Sequence, residues 1–380
     1  MGVHRWLRRL ILLFVGCVVG LMAAEAVARQ IAPAGKNQML FPNVDLYPRD
    51  LYVEIDGMSF PNPRFSGDIR SLDYSNLVRF TQWGTRGEMP TVDHNPWIFI
   101  GDSFTLALQV PEEQTFVHRV GTGLGVAVVN AGVDGYSTWD ETVRLAQLAP
   151  TFSPPVVVLG FFLGNDFSDN LRPHGRRTPQ SPGRSPQPDL PDFPVHPSPP
   201  PVRFSPLQSW LHGHSVLFAH YLVWQKQRAI ANGSDVRSGH FKDELEFFGT
   251  HAADRLDRDE PQTEAAFETL AEYSRQNHVG AVIVAVIPPA FGLNPESAAD
   301  TFRAFGIDDK PDIELSFTHA MALARESGFI ACDTRPELRA AIDRSEQPYF
   351  LFDAHLTGVG HQAVAAAIIR CAAALPPPQL

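Results

Sequence analysis

The sequence predicts an α/β fold built on a parallel sheet of about five strands, with helices covering both faces. Three observations point there. Apolar runs with no polar face recur at Trp97–Ile100, Val126–Val129, Val156–Leu159 and Ala281–Ile287, with a shorter run at Phe329–Cys332, the pattern of strands buried on both sides. Amphipathic segments of helical period alternate with these runs, as in successive βαβ units. Three of the runs also end in turn-forming residues, at Gly101-Asp102-Ser103, Asn130-Ala-Gly-Val-Asp-Gly135 and Gly164-Asn165-Asp166. Such sheets bind ligands just beyond the carboxyl ends of their strands, so the three turns are predicted to share one edge.

Residues 1–31 read as a signal-anchor and transmembrane helix. Arg5, Arg8 and Arg9 precede Leu10–Ala24, fifteen residues without a charge, or nineteen if the run continues past Glu25 to Ala28. The arginine excess places the N-terminus in the cytoplasm and the body outside, periplasmic or at the cell surface. An uncleaved anchor is expected; cleavage at Ala26-Val-Ala28, giving a secreted protein, is the other reading. Cys17 is read as membrane-facing. Residues 32–94 form an N-terminal extension with short strands at Leu51–Glu54 and Leu77–Phe80.

The main domain is assigned to residues 95–375. After Ser103, Pro111-Glu-Glu is expected to open a helix with Phe116, Val120 and Leu124 on one face, stopped by Gly121, Gly123 and Gly125. That glycine run follows a helix and not a strand, so it is no phosphate cradle. Thr138-Trp-Asp-Glu141 reads as a capping box for a helix closed by Pro150. Residues 172–206, with twelve prolines from Pro173 to Pro206, are an insertion that cannot build a packed core; a surface insertion is expected, a lid the alternative. Leu207–Ile230 is amphipathic, with Trp210, Leu211, Leu217, Phe218, Tyr221, Leu222 and Trp224. Packing against the core or an edge is the expectation for it, and substrate or membrane contact is second. Asn232–Pro261 is polar and read as irregular, with a glycosylation triplet at Asn232-Gly-Ser234. Helices are expected at Thr263–Gln276, Ile313–Glu326 and about Gly360–Ala374.

The net charge of −11 over 380 residues argues against nucleic acid as a partner, because that binding relies on cations neutralising phosphates. No Cys/His cluster has zinc-ligand spacing, so no metal is expected. Cys332 and Cys371 can pair in an oxidising compartment; two separate buried thiols are the expectation.

Serine is a weak nucleophile without a base, an orienting acid and donors for the oxyanion. Ser103 stands in the first turn. Phe352-Asp353-Ala-His355 follows the last strand, with a carboxylate two residues from an imidazole, so Asp353 can hold the tautomer of His355. His361 is read as structural. Oxyanion donors are sought in the Ser103 N–H, a glycine N–H in the Gly132–Gly135 turn and the Asn165 side chain; for Asn165-Asp166 a plain strand-ending turn is the competing reading. Gly-x-Ser-x-Gly is absent, position 105 being Thr, so the α/β-hydrolase elbow does not apply.

In these four blocks the chain resembles the SGNH (GDSL-type) hydrolase family. Gly101-Asp-Ser-Phe104 is similar to its first block, Asn130–Gly135 to its second, Gly164-Asn-Asp166 to its third and Asp353-Ala-His355 to its last, over roughly Asn95–Ala374. The commonest last block spaces Asp and His by three, whereas here they are two apart. The resemblance implies a flavodoxin-like three-layer α/β/α sandwich, Ser103 as nucleophile, Gly135 and Asn165 joining Ser103 in the oxyanion hole, and His355 as base backed by Asp353. The expected function is serine-dependent hydrolysis of an acyl ester, short-chain and carbohydrate-linked esters being the candidates, through an acyl-enzyme. An envelope O-acyltransferase acting on a glycan is the alternative, and a non-catalytic glycan-binding or scaffold protein a second one. No cofactor is needed. The partners expected are a small-molecule or glycan ester and the membrane, through the N-terminal helix.

Overall fold

The computed structural model describes residues 2–31, 51–55, 58–70, 73–88, 95–171, 245–350 and 353–375, with scattered positions between 207 and 228. The proline-rich insertion 172–206, the triplet at Asn232 and part of the N-terminal extension lie outside the described residues.

Five strands form one parallel sheet: β5 (Trp97–Gly101), β6 (Val128–Asn130), β7 (Val156–Phe162), β8 (Ala281–Ile287) and β9 (Ile330–Asp333), in the order β6-β5-β7-β8-β9. That order is the flavodoxin-like one, in which the winding reverses beside the first strand. Every residue of β5 and β7 is buried, which is why these strands read as unbroken apolar runs. One face of the sheet packs on α4 (Thr138–Phe152), α6 (Ala252–Gln276) and α8 (Leu315–Glu326), through Leu145, Phe152, Phe267, Leu270 and Phe317. The other packs on α3 (Phe116–Leu124), α9 (Arg335–Asp343) and α10 (Gly358–Ala372), through Phe116, Val120, Leu338, Val364 and Ile368. Helix α7 (Pro295–Ala304) follows β8, and two short helices, α2 (Ser103–Leu106) and α5 (Asp166–Asp169), start at the edge where β5 and β7 end.

The extension contributes two antiparallel hairpins, β1 (Tyr52–Ile55) with β2 (Met58–Pro61) and β3 (Ser66–Arg70) with β4 (Ser75–Arg79). Leu51, Phe65, Ile69, Val78 and Phe80 pack on Leu106 and Leu108, just after the turn that carries Ser103. At the N-terminus, α1 (Gly2–Ile31) contains one stretch, Trp6–Gln30, long and apolar enough to be a membrane span or a signal sequence.

Several local expectations are corrected. Pro111-Glu-Glu does not open α3; a short 3-10 turn at Glu112–Gln114 comes first, and Thr115 caps the helix by accepting from His118 N. Of the three glycines only Gly125, in the left-handed region, ends α3. The capping box lies one residue earlier than read, between Ser137 and Asp140, and α4 runs past Pro150 to Phe152. Helix α6 begins at Ala252, eleven residues before Thr263, with Pro261 inside it. Its first turns are crowded with charge, and only Ala252, Leu256 and Asp259 are buried there, so their apolar stripe is too thin to register as a period. Cys332 and Cys371 are not separate thiols: they form a disulfide with Cα atoms 5.8 Å apart, because α10 lies against β9. The single helix expected from Leu207 is interrupted at Ser215, and of its described residues Leu207, Trp210, Tyr221 and Trp224 are exposed while Leu211, Leu217 and Phe218 are half-buried.

Candidate active site

The turn after β5 is set by its own backbone. Gly101 has φ +152°, and a Cβ there would collide with Thr105 Oγ1. Asp102 then caps α2, its Oδ1 accepting from Phe104 N at 2.9 Å, and Ser103 takes the first helical position. The neighbouring β6 turn locks on from the side. Val133 N donates to Gly101 O at 2.9 Å, and Asn130 Nδ2 donates to Thr105 O at 2.8 Å. Buried Arg86 adds a clamp from the extension by donating to the Leu106, Ala107 and Val110 carbonyls. A charged donor onto several main-chain oxygens is a strong fixing point.

The second loop precedes α10. Ala354 adopts φ +67°, a left-handed conformation that costs a residue with a Cβ about 1 kcal/mol. That bend lets residues only two apart face each other. Asp353 Oδ1 lies 2.6 Å from His355 Nδ1, and His355 Nε2 lies 2.8 Å from Ser103 Oγ. With Nδ1–H given to the carboxylate, the neutral ring's Nε2 is the acceptor for the serine hydroxyl. Phe104, itself stacked on Phe162, backs the imidazole at 4.7 Å between ring centres. The His355 side chain stays 20% exposed while that of Asp353 is buried, so the ring can meet a ligand and its acid partner cannot.

Burial alone lowers the His355 pKa, but the charge and hydrogen bond of Asp353, helped by Asp102 and Asp134, outweigh it and raise the value to about 9. Burial pushes His361 well below the ordinary histidine range, with Arg86 and Arg119 adding to the effect. Its Nδ1 accepts from Phe116 N at 3.2 Å, so this ring pins α3 to α10.

Two residues that the sequence did not single out hold Asp353. Tyr74 OH donates to its Oδ2 at 3.0 Å, and Asp73 Oδ2 accepts from its backbone N at 2.8 Å. They lie about 280 positions upstream, at the start of β4, where no motif or period marks them.

The oxyanion candidates are placed less directly. Gly135, at φ +70°, is exposed in the β6 turn, and Asp134 beside it acts electrostatically on both His355 and Asp102. Among the described residues neither the Ser103 nor the Gly135 N–H has an acceptor. Asn165 faces inward: Nδ2 donates to Asp169 Oδ2 at 2.9 Å, and the amide lies close enough to Asp102 to offset part of that residue's pKa rise. Beneath this edge Asp102, Glu141, Asp166 and Asp169 are all essentially buried. Burial raises Asp102 to about 6, and burial with mutual repulsion holds Glu141 and Asp166 well above the carboxylate range. Glu141 and Asp166 beneath the site therefore favour their neutral forms.

No family model and no curated protein matches the chain. Solved structures with some likeness include LAE5, an α/β hydrolase enzyme from the metagenome of Lake Arreo, at 13% identity and TM-score 0.37, covering 74% of this chain and 96% of that one. A catalytic mutant of Axe2, an acetylxylan esterase from Geobacillus stearothermophilus, is 14% identical at TM-score 0.38, covering 73% and 93%. TesA is 15% identical at TM-score 0.34, covering 74% and 99%. Likeness this remote leaves function to the chemistry of the site.

Proposed function

We propose that the chain is a serine ester hydrolase of the SGNH type, tethered by α1 with its catalytic domain outside the cytoplasm. The observation that carries this reading is the continuous path from Ser103 Oγ through His355 to Asp353, at 2.8 and 2.6 Å. Ser103 attacks an ester carbonyl while His355 Nε2 takes the hydroxyl proton, and Asp353 stabilises the resulting imidazolium. The N–H groups of Ser103 and Gly135 receive the oxyanion, joined by the Asn165 amide once it turns from Asp169 and Asp102 towards the substrate. As the tetrahedral intermediate collapses, the ester C–O bond breaks and His355 returns the proton to the leaving alcohol. Water then enters and gives a proton to His355 as its oxygen bonds the acyl carbon; the bond from that carbon to Ser103 Oγ breaks, His355 returns the proton to Oγ, and the acid leaves.

Short-chain acyl groups on carbohydrate or other alcohols are the substrates proposed. Transfer to a sugar hydroxyl would share the whole first half of this sequence. The Cys332–Cys371 disulfide supports an oxidising compartment, as the arginines before the apolar run support an outward-facing body.

The test uses the full chain with a fluorophosphonate probe and p-nitrophenyl acetate. Labelling and hydrolysis that both vanish in Ser103→Ala are expected. Equal rates in the two proteins would overturn the reading in favour of a binding or scaffold protein. Product analysis with glycan acceptors then shows whether water or sugar takes the acyl group.

A further inference from the structure

The exposed aromatic residues between positions 207 and 228 have a use that the hydrolytic site leaves unexplained. Leu207 is 64% exposed, Trp210 56%, Tyr221 48% and Trp224 52%. Tyr221, Trp224 and Arg228, spaced three and four apart, share one side of the helix that starts at Val216; Leu207 and Trp210 precede that start, while Leu211, Leu217 and Phe218 are half-buried. Tyr221 and Trp224 stack with ring centres 6.1 Å apart, and the exposed Arg228 sits over Trp224 at 5.4 Å. Two exposed tryptophans, an exposed tyrosine and an exposed leucine within eighteen residues are an unusual apolar concentration for a soluble surface.

The second observation is where this face is fastened. Helix α1 is exposed along its apolar length, with Leu12 and Phe14 about 70% open, and meets the body near its far end. There Glu25 Oε1 accepts from Val216 N at 2.8 Å, and Oε2 accepts from Ser215 Oγ at 2.8 Å and Leu217 N at 3.1 Å. Arg29 Nε donates to the same carboxylate at 2.9 Å. Glu25 thus caps the aromatic helix at its N-terminus, where free N–H groups and the helix dipole favour an anion. Glu25 also ends the fifteen-residue uncharged run, and a carboxylate is costly in hydrocarbon, so it belongs at the boundary with the headgroups. Tyr221 and Trp224 follow the capped start at Val216 within ten residues, at most about 15 Å along a helix.

We infer that this aromatic face lies in the interfacial layer of the membrane that α1 spans, making a second attachment beside the anchor. The inference rests on the proposal that α1 is an uncleaved span. Tryptophan and tyrosine favour headgroup depth, and Arg228 is placed to meet lipid phosphates. Glu25 sets the depth at which the two attachments join.

The experiment reconstitutes the full chain in nanodiscs of brominated lipid and reads tryptophan quenching in wild type and W210F/W224F. The chain has six tryptophans. Trp6, Trp210 and Trp224 are the ones expected in lipid, so the quenched share should fall from about three emitters in six to about one in four. Tyr221→Trp should add a quenched emitter, which keeps the test open if the double variant misfolds. An unchanged share would overturn the inference, and disulfide-linked dimers through Tyr221→Cys in a Cys17→Ala background would then assign the face to a second copy. Residual quenching in W210F/W224F reports Trp6, so the anchor is read separately; no quenching in either protein would overturn the span as well.

Discussion

The loop that carries Ser103 is fixed by the strands on either side of it, whereas the loop that carries His355 is held from a hairpin almost 280 residues upstream. Around Ser103, Gly101 O and Thr105 O take bonds from the β6 turn, and Arg86 closes the far end. Around His355, the acid partner depends on Tyr74 and Asp73, and the backbone between Asp353 and His355 is strained at Ala354. The turn of Ser103, the proposed nucleophile, is thus held mainly by the sheet, with Arg86 of the extension as one clamp. The base is a property of how the extension docks on it, and this asymmetry predicts which substitutions act on chemistry and which on geometry.

The largest effect is expected at the nucleophile. Ser103→Ala should lower kcat for p-nitrophenyl acetate by roughly 10³-fold or more, leaving what the oxyanion donors alone supply. Retention of more than a tenth of the rate would mean that another group attacks. Asp353→Asn should follow, with a loss of roughly 10²- to 10⁴-fold, because the amide no longer selects the productive tautomer. The pH profile gives the sign independently. His355 must be neutral to act and holds its proton up to about pH 9, so wild-type kcat/KM should climb through that range. Removing the Asp353 charge lowers the His355 pKa, so the acid limb should move to lower pH even as the plateau drops.

Two predictions concern what lies behind the loops. The Cys332–Cys371 bridge closes a loop of sequence separation 39 and ties β9 to α10, the helix that follows His355. Loop-closure entropy assigns such a bridge about 4 kcal/mol. The C332S/C371S variant should therefore melt well below wild type while keeping its kcat at 25 °C; lost kcat in a folded variant would show that the bridge shapes the His355 loop. Behind Ser103, neither carboxylate oxygen of Glu141 has a partner among the described residues, and its pKa is raised. A raised carboxylate favours the folded state below the ordinary carboxylate range, and that advantage is lost as pH rises. Glu141→Gln keeps a neutral group of the same shape and should melt above wild type at about pH 8 by roughly 1–2 kcal/mol, the gap narrowing towards pH 4.5. A gap that widens in acid would reverse the sign of this account.

The same asymmetry explains what could be read in the sequence. The β5, β7 and β8 runs and the turns holding Ser103, Asn130–Gly135 and Asn165 are local patterns of apolar residues and turn formers, and they appear where expected. Asp353 and His355 were legible as a pair because they are adjacent. Tyr74 and Asp73 were not, since nothing in an isolated hairpin states what it will dock against. The Cys332–Cys371 pairing needed the packing of α10 on β9. The segment after Leu207 reads as one amphipathic helix, but the cap at Ser215 divides it, and an amphipathic period serves a core and a lipid boundary alike.

The sharpest test of the comparison is also the mildest change. Tyr74→Phe removes one hydroxyl that donates to Asp353 Oδ2 and keeps the ring packed at 5.5 Å from Phe350. A hydrogen bond to a charged carboxylate contributes about 1.5–3 kcal/mol, so kcat should fall roughly tenfold or more with KM unchanged, since the hydroxyl touches the acid and not the substrate. With one donor fewer, the Asp353 carboxylate is less well satisfied and should hold the imidazole proton more tightly, moving the acid limb of kcat/KM slightly upward. That shift is opposite to the one expected for Asp353→Asn, and a merely structural role for Tyr74 would not produce it. If Tyr74→Phe leaves both kcat and the pH profile where they were, the His355 loop stands without the extension and the two loops are equivalent after all.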